Sequence, residues 1–275
     1  MQQISDHVYV ETGWQGCNPG FVITDAGIVM VDSPQRPSCA LKWRDAIRAR
    51  GEIRYLINTE YHRDHVTGNF FFPVPVIAHD HTREDVFALP RQAIMDPVKA
   101  MGEAEFARMD GFILNNASIT FSEKLALNLG QHTIEVIHLP GHTRGQTAVF
   151  LPKEKVVFTG DNVFHRVQTW LHTSDPSAWL ESLEKIEALD ADIIVPGHGG
   201  VCDKGYLKEQ RSFIEEWMGA VSAAIQRGLS QAEAMDEISF LDRYPMDEGI
   251  SALGPGLQRM NVARLYDLFT SDRKA

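Results

Sequence analysis

The stretch NTEYHRDHVTGN, residues 58–69, decides how this chain is read. It sets one Glu, two His and one Asp around a short polar loop that ends at Gly68. The residues before it, IRYLIN, form a short apolar run of strand character. A strand that ends at Asn58 delivers Glu60, His62, Asp64 and His65 to a sheet edge, where functional side chains gather. The HxDH spacing lets His62 point one way and the Asp64–His65 pair another, so one loop can serve two neighbouring cations. Gly68 is expected to permit a tight backbone exit.

Three later stretches repeat the pattern. HLPGHTRGQT places His142 after a strand and a Pro-Gly turn, VVFTGDNVF places Asp161 at the end of an apolar strand, and IIVPGHGG does the same for His198. Each residue follows an apolar run and has glycine beside it, so all can converge on one edge of a pair of sheets. A single instance would be an ordinary turn. Four in this order do not share that explanation.

The surrounding chain is consistent with this. HVYVE, NPGFVITD and AGIVMVDS predict three strands, with TDAG as a hairpin turn, and PSCALKWRDAIRARG predicts a helix ended by Gly51. VPVIAHD predicts a strand, TREDVFAL a helix start, and DPVKAMGEAEFARMDG a helix. SITF, KLALNL, HTIEVIHL, QTAVFLP and KVVFTGD predict strands again. DPSAWLESLEKIEAL is an amphipathic helix with Asp175 as cap and Pro176 as first residue, DIIVPGHGG a strand, and the tail from about Tyr206 is helical. The order suggests two similar halves, each a sheet with helices outside. The expected organisation is one domain over residues 1–275, with the C-terminal helices of residues 206–275 packed on it.

With 275 residues the chain can bury a sizeable core, and 44% hydrophobic and 23% charged residues are ordinary for a soluble protein. The net charge of −11 disfavours a nucleic-acid partner, which needs a basic stripe. No apolar run reaches the length of a membrane span, and MQQISDHVYVETGW lacks the basic start and apolar core of a secretory signal, so a cytoplasmic location is expected. Cys17, Cys39 and Cys202 form no CxxC pair and suit a reducing compartment as small buried fillers.

The series ExHxDH, PGHT, TGD and PGHG, over roughly residues 4–200, resembles the metallo-β-lactamase-fold hydrolases, which include glyoxalase-II-like thioesterases and lactonases. The resemblance implies an α/β fold, a four-layer αβ/βα sandwich of two mixed sheets packed face to face. It further implies two divalent metal ions, zinc first. One would sit at Glu60, His62 and His142, the other at Asp64, His65 and His198, with Asp161 bridging. The implied activity is hydrolysis of a small-molecule ester, thioester, lactone, amide or β-lactam by a solvent molecule shared between the metals, with Asp64 as the catalytic carboxylate. An iron-dependent oxidoreductase of the same fold and a non-catalytic ligand-binding member are the alternatives.

Glu60 departs from the family's usual HxHxDH. Two divalent ions, Asp64, Asp161 and a bridging hydroxide leave one positive charge, and Glu60 cancels it. A neutral cluster polarises water less, and a carboxylate is a harder donor that favours manganese or iron at that position. Two geometries are open: Glu60 ligates, or it turns away. Trp14 and Gln15 in TGWQGCNPG, and His165, Trp170 and His172 after Asp161, are candidate walls of a substrate pocket. His79 and His81 have HxH spacing without a following Asp-His and are expected to play surface or supporting roles. His7, His132 and His138 lie in strand patterns and are expected to be structural.

Overall fold

The computed structural model describes residues 1–271. The first sheet holds seven strands in sequence order: β1 (Gln2–Gln3), β2 (Val8–Val10), β3 (Gly20–Thr24), β4 (Gly27–Val31), β5 (Ile53–Ile57), β6 (Val76–His79) and β7 (Ile119–Phe121). Pairing is antiparallel from β1 to β4 and parallel from β4 to β7. The second sheet has β8 (Lys124–Leu129), β9 (His132–His138), β10 (Thr147–Leu151), β11 (Val156–His165) and β12 (Ile193–Gly199), antiparallel except for the parallel β11–β12 pair. Both sheets are therefore mixed. The SITF segment, β7, pairs with β6 and so closes the first sheet, although it opens the second run of strands in the sequence.

Valine-rich inner faces meet between the sheets: Val8, Val10, Val22, Val29 and Val31 of the first pack with Ile134, Val136, Val149, Phe158 and Val195 of the second. The outer face of the first sheet is covered by α1 (Pro37–Arg48), whose Ala40, Trp43 and Ile47 bury against Phe21, Met30 and Leu56. After α2 (Arg63–Val66) and α3 (Asp80–Ala88), two short helices follow, α4 (Arg91–Ala100) and α5 (Glu103–Ala107). The sequence predicts one helix there, but Gly102 at φ 117° breaks it. The outer face of the second sheet is covered by α6 (Pro176–Ala188) and α7 (Leu207–Gln226), followed by α8 (Gln231–Glu237) and α9 (Gly254–Ser271). Asp175 caps α6 as expected, accepting from the Ala178 N–H. Gly51 does not end α1, which stops at Arg48 with Ala49 as its cap.

Two sets of contacts tie the sheets together at one end. The Asn18 side chain, before β3, donates to the carbonyls of Pro196 and Gly199 on β12 at 3.0 and 2.7 Å. The Thr147 N–H at the start of β10 donates to the Thr59 carbonyl beyond β5 at 2.8 Å. At this end lie the C-termini of β5, β11 and β12, the strands that precede or carry the predicted ligands. The cysteines are free, with Cys17 and Cys39 buried. No described helix is long and apolar enough to cross a membrane.

Candidate metal centre

The chain leaves β5 and enters the single turn of α2 with His62 at its N-cap, which puts Asp64 and His65 on successive positions of that turn. A buried polar scaffold holds the turn. The His65 carbonyl accepts from Ser33 Oγ at 3.0 Å and Asn58 Nδ2 at 3.2 Å, and Asn69 links Asn58 to the Asn115 carbonyl. Gly68 has no left-handed backbone here. It is needed because a Cβ would meet the Pro34 carbonyl oxygen at 2.4 Å. Across the site, a Cβ on Gly197 would meet Asp161 Oδ1 at 1.9 Å, so the residue before His198 must be glycine for β12 to approach β11.

All seven predicted ligand residues converge. Glu60, His62, His142 and Asp161 form one group of donor atoms within 4.8 Å of one another, and Asp64, His65 and His198 form a second. In the first group, Glu60 Oε1 lies 2.8 Å from His62 Nδ1, and His142 Nε2 lies 3.1 Å from His62 Nδ1 and 3.3 Å from Asp161 Oδ2. In the second, His198 Nε2 lies 3.2 Å from Asp64 Oδ2. Asp161 stands between them, with Oδ1 3.1 Å from His65 Nε2 and 3.5 Å from His198 Nε2. Glu60 points inward and is fully buried, so the geometry in which it turns away is not the one adopted.

These donors fit a cation. Metal bonds of about 2.0–2.2 Å put adjacent ligand atoms of a tetrahedron about 3.3 Å apart, and the separations above cluster around that value. More telling, His65 Nε2 and Asp161 Oδ1 are buried and have no hydrogen-bond partner among the described residues, although they face each other at 3.1 Å. Buried polar atoms left so are rare unless something absent completes them.

The outer nitrogens are held in place. His65 Nδ1 lies 2.9 Å from Asp32 Oδ2, His198 Nδ1 lies 2.7 Å from Asp247 Oδ2, and His142 Nδ1 donates to the Trp170 carbonyl at 2.8 Å. Each leaves Nε2 facing the centre, as a ligand imidazole requires. Asp32 adopts φ 55°, a costly conformation for a non-glycine residue, and its carboxylate also accepts from the Thr59 N–H and hydroxyl at 2.8 and 2.7 Å.

Burial works against charge at every one of these groups, and partners decide the outcome. It pulls the imidazoles of His65 and His198 down, but Asp161 and the neighbouring carboxylates raise both well above the usual histidine range. His142, with burial dominant and His62 beside it, is held well below that range. His62 is raised because Glu60 outweighs its burial. Burial pushes the Glu60 carboxyl up, whereas Asp64 and Asp161 are held low because their histidine partners outweigh burial.

The donors open onto a cleft at the sheet edges. Gln15 and Trp170 line it as expected, and so does His172, whose ring stacks on His62 and whose pKa burial lowers to about 4. Two expected wall residues are elsewhere. Trp14 packs edge-on against Trp43 in the core under α1, because neighbours in an extended loop face opposite ways. His165 Nδ1 donates to the Gly200 carbonyl at 2.7 Å and the ring packs on Tyr206, at the last residue pair of β11 with β12. His79 and His81 are away from the centre: His79 donates to the Ser122 carbonyl, stacks on His138, and caps α3. Sequence reasoning missed Asp32, Asp247, Gln35, Arg63, Ile250 and Leu253. Asp32 was findable, since an apolar run leads up to it as one leads up to Asp161, which lies within β11. Asp247, Ile250 and Leu253 carry no local signal.

Comparison with known proteins agrees with this geometry. The family model described as "Metallo-beta-lactamase superfamily" matches residues 12–198. The hydroxyacylglutathione hydrolase of Brucella anthropi is 30% identical over 179 residues, which cover 65% of this chain and 59% of that protein. The Brucella ovis hydroxyacylglutathione hydrolase gives the same identity over 64% of this chain and 59% of its own length. The chain thus matches less than two thirds of the length of these relatives. Among solved structures, a metallo-beta-lactamase from Pontibacter korlensis aligns with TM-score 0.62 at 19% identity, covering 78% of this chain and 97% of that one. A double mutant of the sec-alkyl sulfatase PisA1 aligns with TM-score 0.70 at 17% identity, covering 97% of this chain and 49% of that one. At these identities the structures speak for the fold alone.

Proposed function

The chain belongs to the metallo-beta-lactamase superfamily, and from that premise we propose that it is a dinuclear metal-dependent hydrolase of a small acyl compound, with a thioester as the first candidate. The observation that carries the reading is the pair of donor groups joined at Asp161, with orphaned His65 Nε2 and Asp161 Oδ1 facing each other across the gap. Glu60, His62, His142 and Asp161 would hold one divalent cation, and Asp64, His65, His198 and Asp161 the other. When bound, such a pair supplies Lewis acidity toward an acyl oxygen and an activated water near neutral pH.

The chain's own residues divide the remaining work. Of the three carboxylates, Glu60 is sealed, Asp161 is 5% exposed and Asp64 is 22% exposed in its side chain. Asp64 is therefore the carboxylate most open to a substrate, and the one placed to hold and orient the attacking solvent. Trp170, Ile250 and Leu253 give the cleft an apolar wall, while Gln15 and Gln35 offer amide hydrogen bonds. Arg63 is the cation at its mouth and suits a substrate carrying negative charge, such as a glutathione thioester. That choice is supported by the 30% identity to hydroxyacylglutathione hydrolases.

The test is a panel of a hydroxyacylglutathione, a lactone, a simple ester, a β-lactam and a secondary alkyl sulfate, run on zinc-, manganese- and iron-loaded protein. Thioester hydrolysis is expected to be fastest and to vanish on chelation. Full metal loading without hydrolysis of any member would overturn the reading, and oxygen consumption by the iron form would favour the oxidoreductase alternative that the Glu60 carboxylate leaves open.

A further inference from the structure

At the opposite end of the sandwich, a second set of ligand-type side chains meets. His7 stands just before β2, and His132 begins β9. Glu154 lies in the turn between β10 and β11. β2 runs toward the metal centre and β9 runs toward His142, so His7 and His132 sit at the far ends of their strands, and the β10–β11 turn lies at that end as well. Glu154 Oε1 is 3.2 Å from His7 Nδ1 and 3.3 Å from His132 Nε2. The imidazole rings are 4.7 Å apart and inclined at 72°. All three donor atoms fall within 4.8 Å of one another.

Three features set this group apart from an ordinary ion pair. The His132 and Glu154 side chains are 3% and 5% exposed. Both ring nitrogens of His132 and Glu154 Oε1 have no hydrogen-bond partner among the described residues, so the close approaches are not made by aligned hydrogen bonds. The two donor separations match the edge of about 3.3 Å expected for a tetrahedral site with bonds near 2.0–2.1 Å. His7 is 37% exposed, which leaves a side open to solvent for entry and for a water.

We propose that His7 Nδ1, His132 Nε2 and Glu154 Oε1 bind a zinc ion, distinct from the metal centre and with water as its fourth ligand. Two imidazoles and one carboxylate are a donor set that zinc accepts readily, and a softer or harder ion matches it less well. His7 belongs to the first sheet while His132 and Glu154 belong to the second. The ion therefore clamps the sheets at the end where Asn18 and Thr147 make no cross-sheet bond, and it completes donors that are otherwise buried without partners.

The test is the zinc content of zinc-equilibrated, desalted protein for wild type, Glu154→Gln and His7→Gln, with a zinc-edge anomalous map from wild-type crystals. His7 is partly exposed at a strand start, so His7→Gln keeps the fold even if the buried Glu154→Gln does not. Each folded variant is expected to bind one zinc fewer per chain than wild type, and the map is expected to show a peak between the three side chains. Activity of the distant cleft is expected to be unchanged. Equal zinc content in wild type and His7→Gln, or no peak at saturating zinc, would overturn the proposal.

Discussion

The two halves of the metal centre place their negative charge differently. In the group around His65 and His198, both imidazoles rest on carboxylates outside the ligand ring, Asp32 and Asp247. In the group around His62 and His142, no carboxylate among the described residues stands behind the imidazoles. His142 donates to the Trp170 carbonyl, and His62 Nε2 has only Thr173 Oγ1 at 3.4 Å. The carboxylate of that half, Glu60, is in the ring itself. Against burial, Asp161 first, and then Asp32 and Asp247 behind the rings, raise His65 and His198 well above the usual histidine range. The half around His62 and His142 has Glu60 in its ring where its neighbour has Asp64, and its imidazoles split, since burial holds His142 low while Glu60 raises His62. The lesson is that a carboxylate can stand in the ring or behind an imidazole, and the position is expected to bear on which ion each half prefers.

The largest effect is expected where the halves join. Asp161→Asn removes the charge both share and leaves an amide nitrogen facing His65 or His142. Metal content is expected to fall in both halves, and kcat/KM to drop by about 10³-fold or more, since Lewis acidity and solvent activation are lost together. Elemental analysis alongside steady-state kinetics checks this. If Asp161→Asn kept full occupancy, the two halves would be independent sites and the comparison would lose its basis.

A smaller effect separates the two outer carboxylates. Asp247 makes one contact that matters here, to His198, and lies on a partly exposed segment. Asp247→Asn is expected to weaken metal binding in its half by about 10–100-fold with little change in melting temperature. Asp32 is buried and also holds the Thr59 N–H and hydroxyl, so Asp32→Asn should lose affinity and about 1–3 kcal/mol of stability as well. Competition with a zinc chelator and thermal melts, run in parallel, distinguish them. Equal melting temperatures for the two variants would show that Asp32 does not brace the loop.

These residues also mark how far the sequence could be read. The short apolar runs between Val8 and Val31, and those before Asn58, Asp161 and His198, are local signals, and they located most strands and the seven residues whose side chains converge, although SITF proved to close the first sheet. The same signal precedes Asp32. Asp247 is different: it reaches His198 only because α9 returns and Asn261 and Gln258 fasten the 168–171 loop and the chain near Phe240. Such contacts join residues some 50–90 positions apart through folded geometry, with no periodicity to announce them. Of the Trp14 and Gln15 pair only Gln15 reaches the cleft, since burial on one face or the other of a loop depends on one residue of register.

The smallest expected effect on turnover is at Glu60, and it addresses the difference between the halves directly. Glu60→His would give the first half three imidazoles beside the shared Asp161 and leave the centre with one more positive charge. Occupancy by zinc should persist, because His142, His62 and Asp161 remain. Preference should shift toward zinc over manganese by about tenfold, as the hard oxygen donor is replaced by imidazole. Turnover should change by less than about tenfold, with the acid limb of the pH–rate profile moving to lower pH because a more positive centre lowers the pKa of coordinated water. Glu60→Gln separates charge from donor type: it keeps the shape and removes the charge, so it should reproduce the pH shift without the full gain in zinc preference. If Glu60→His and wild type showed the same metal ratio after equilibration with mixed zinc and manganese, Glu60 would not be a ligand, and its inward, buried position 2.8 Å from His62 would serve only to hold that imidazole in place.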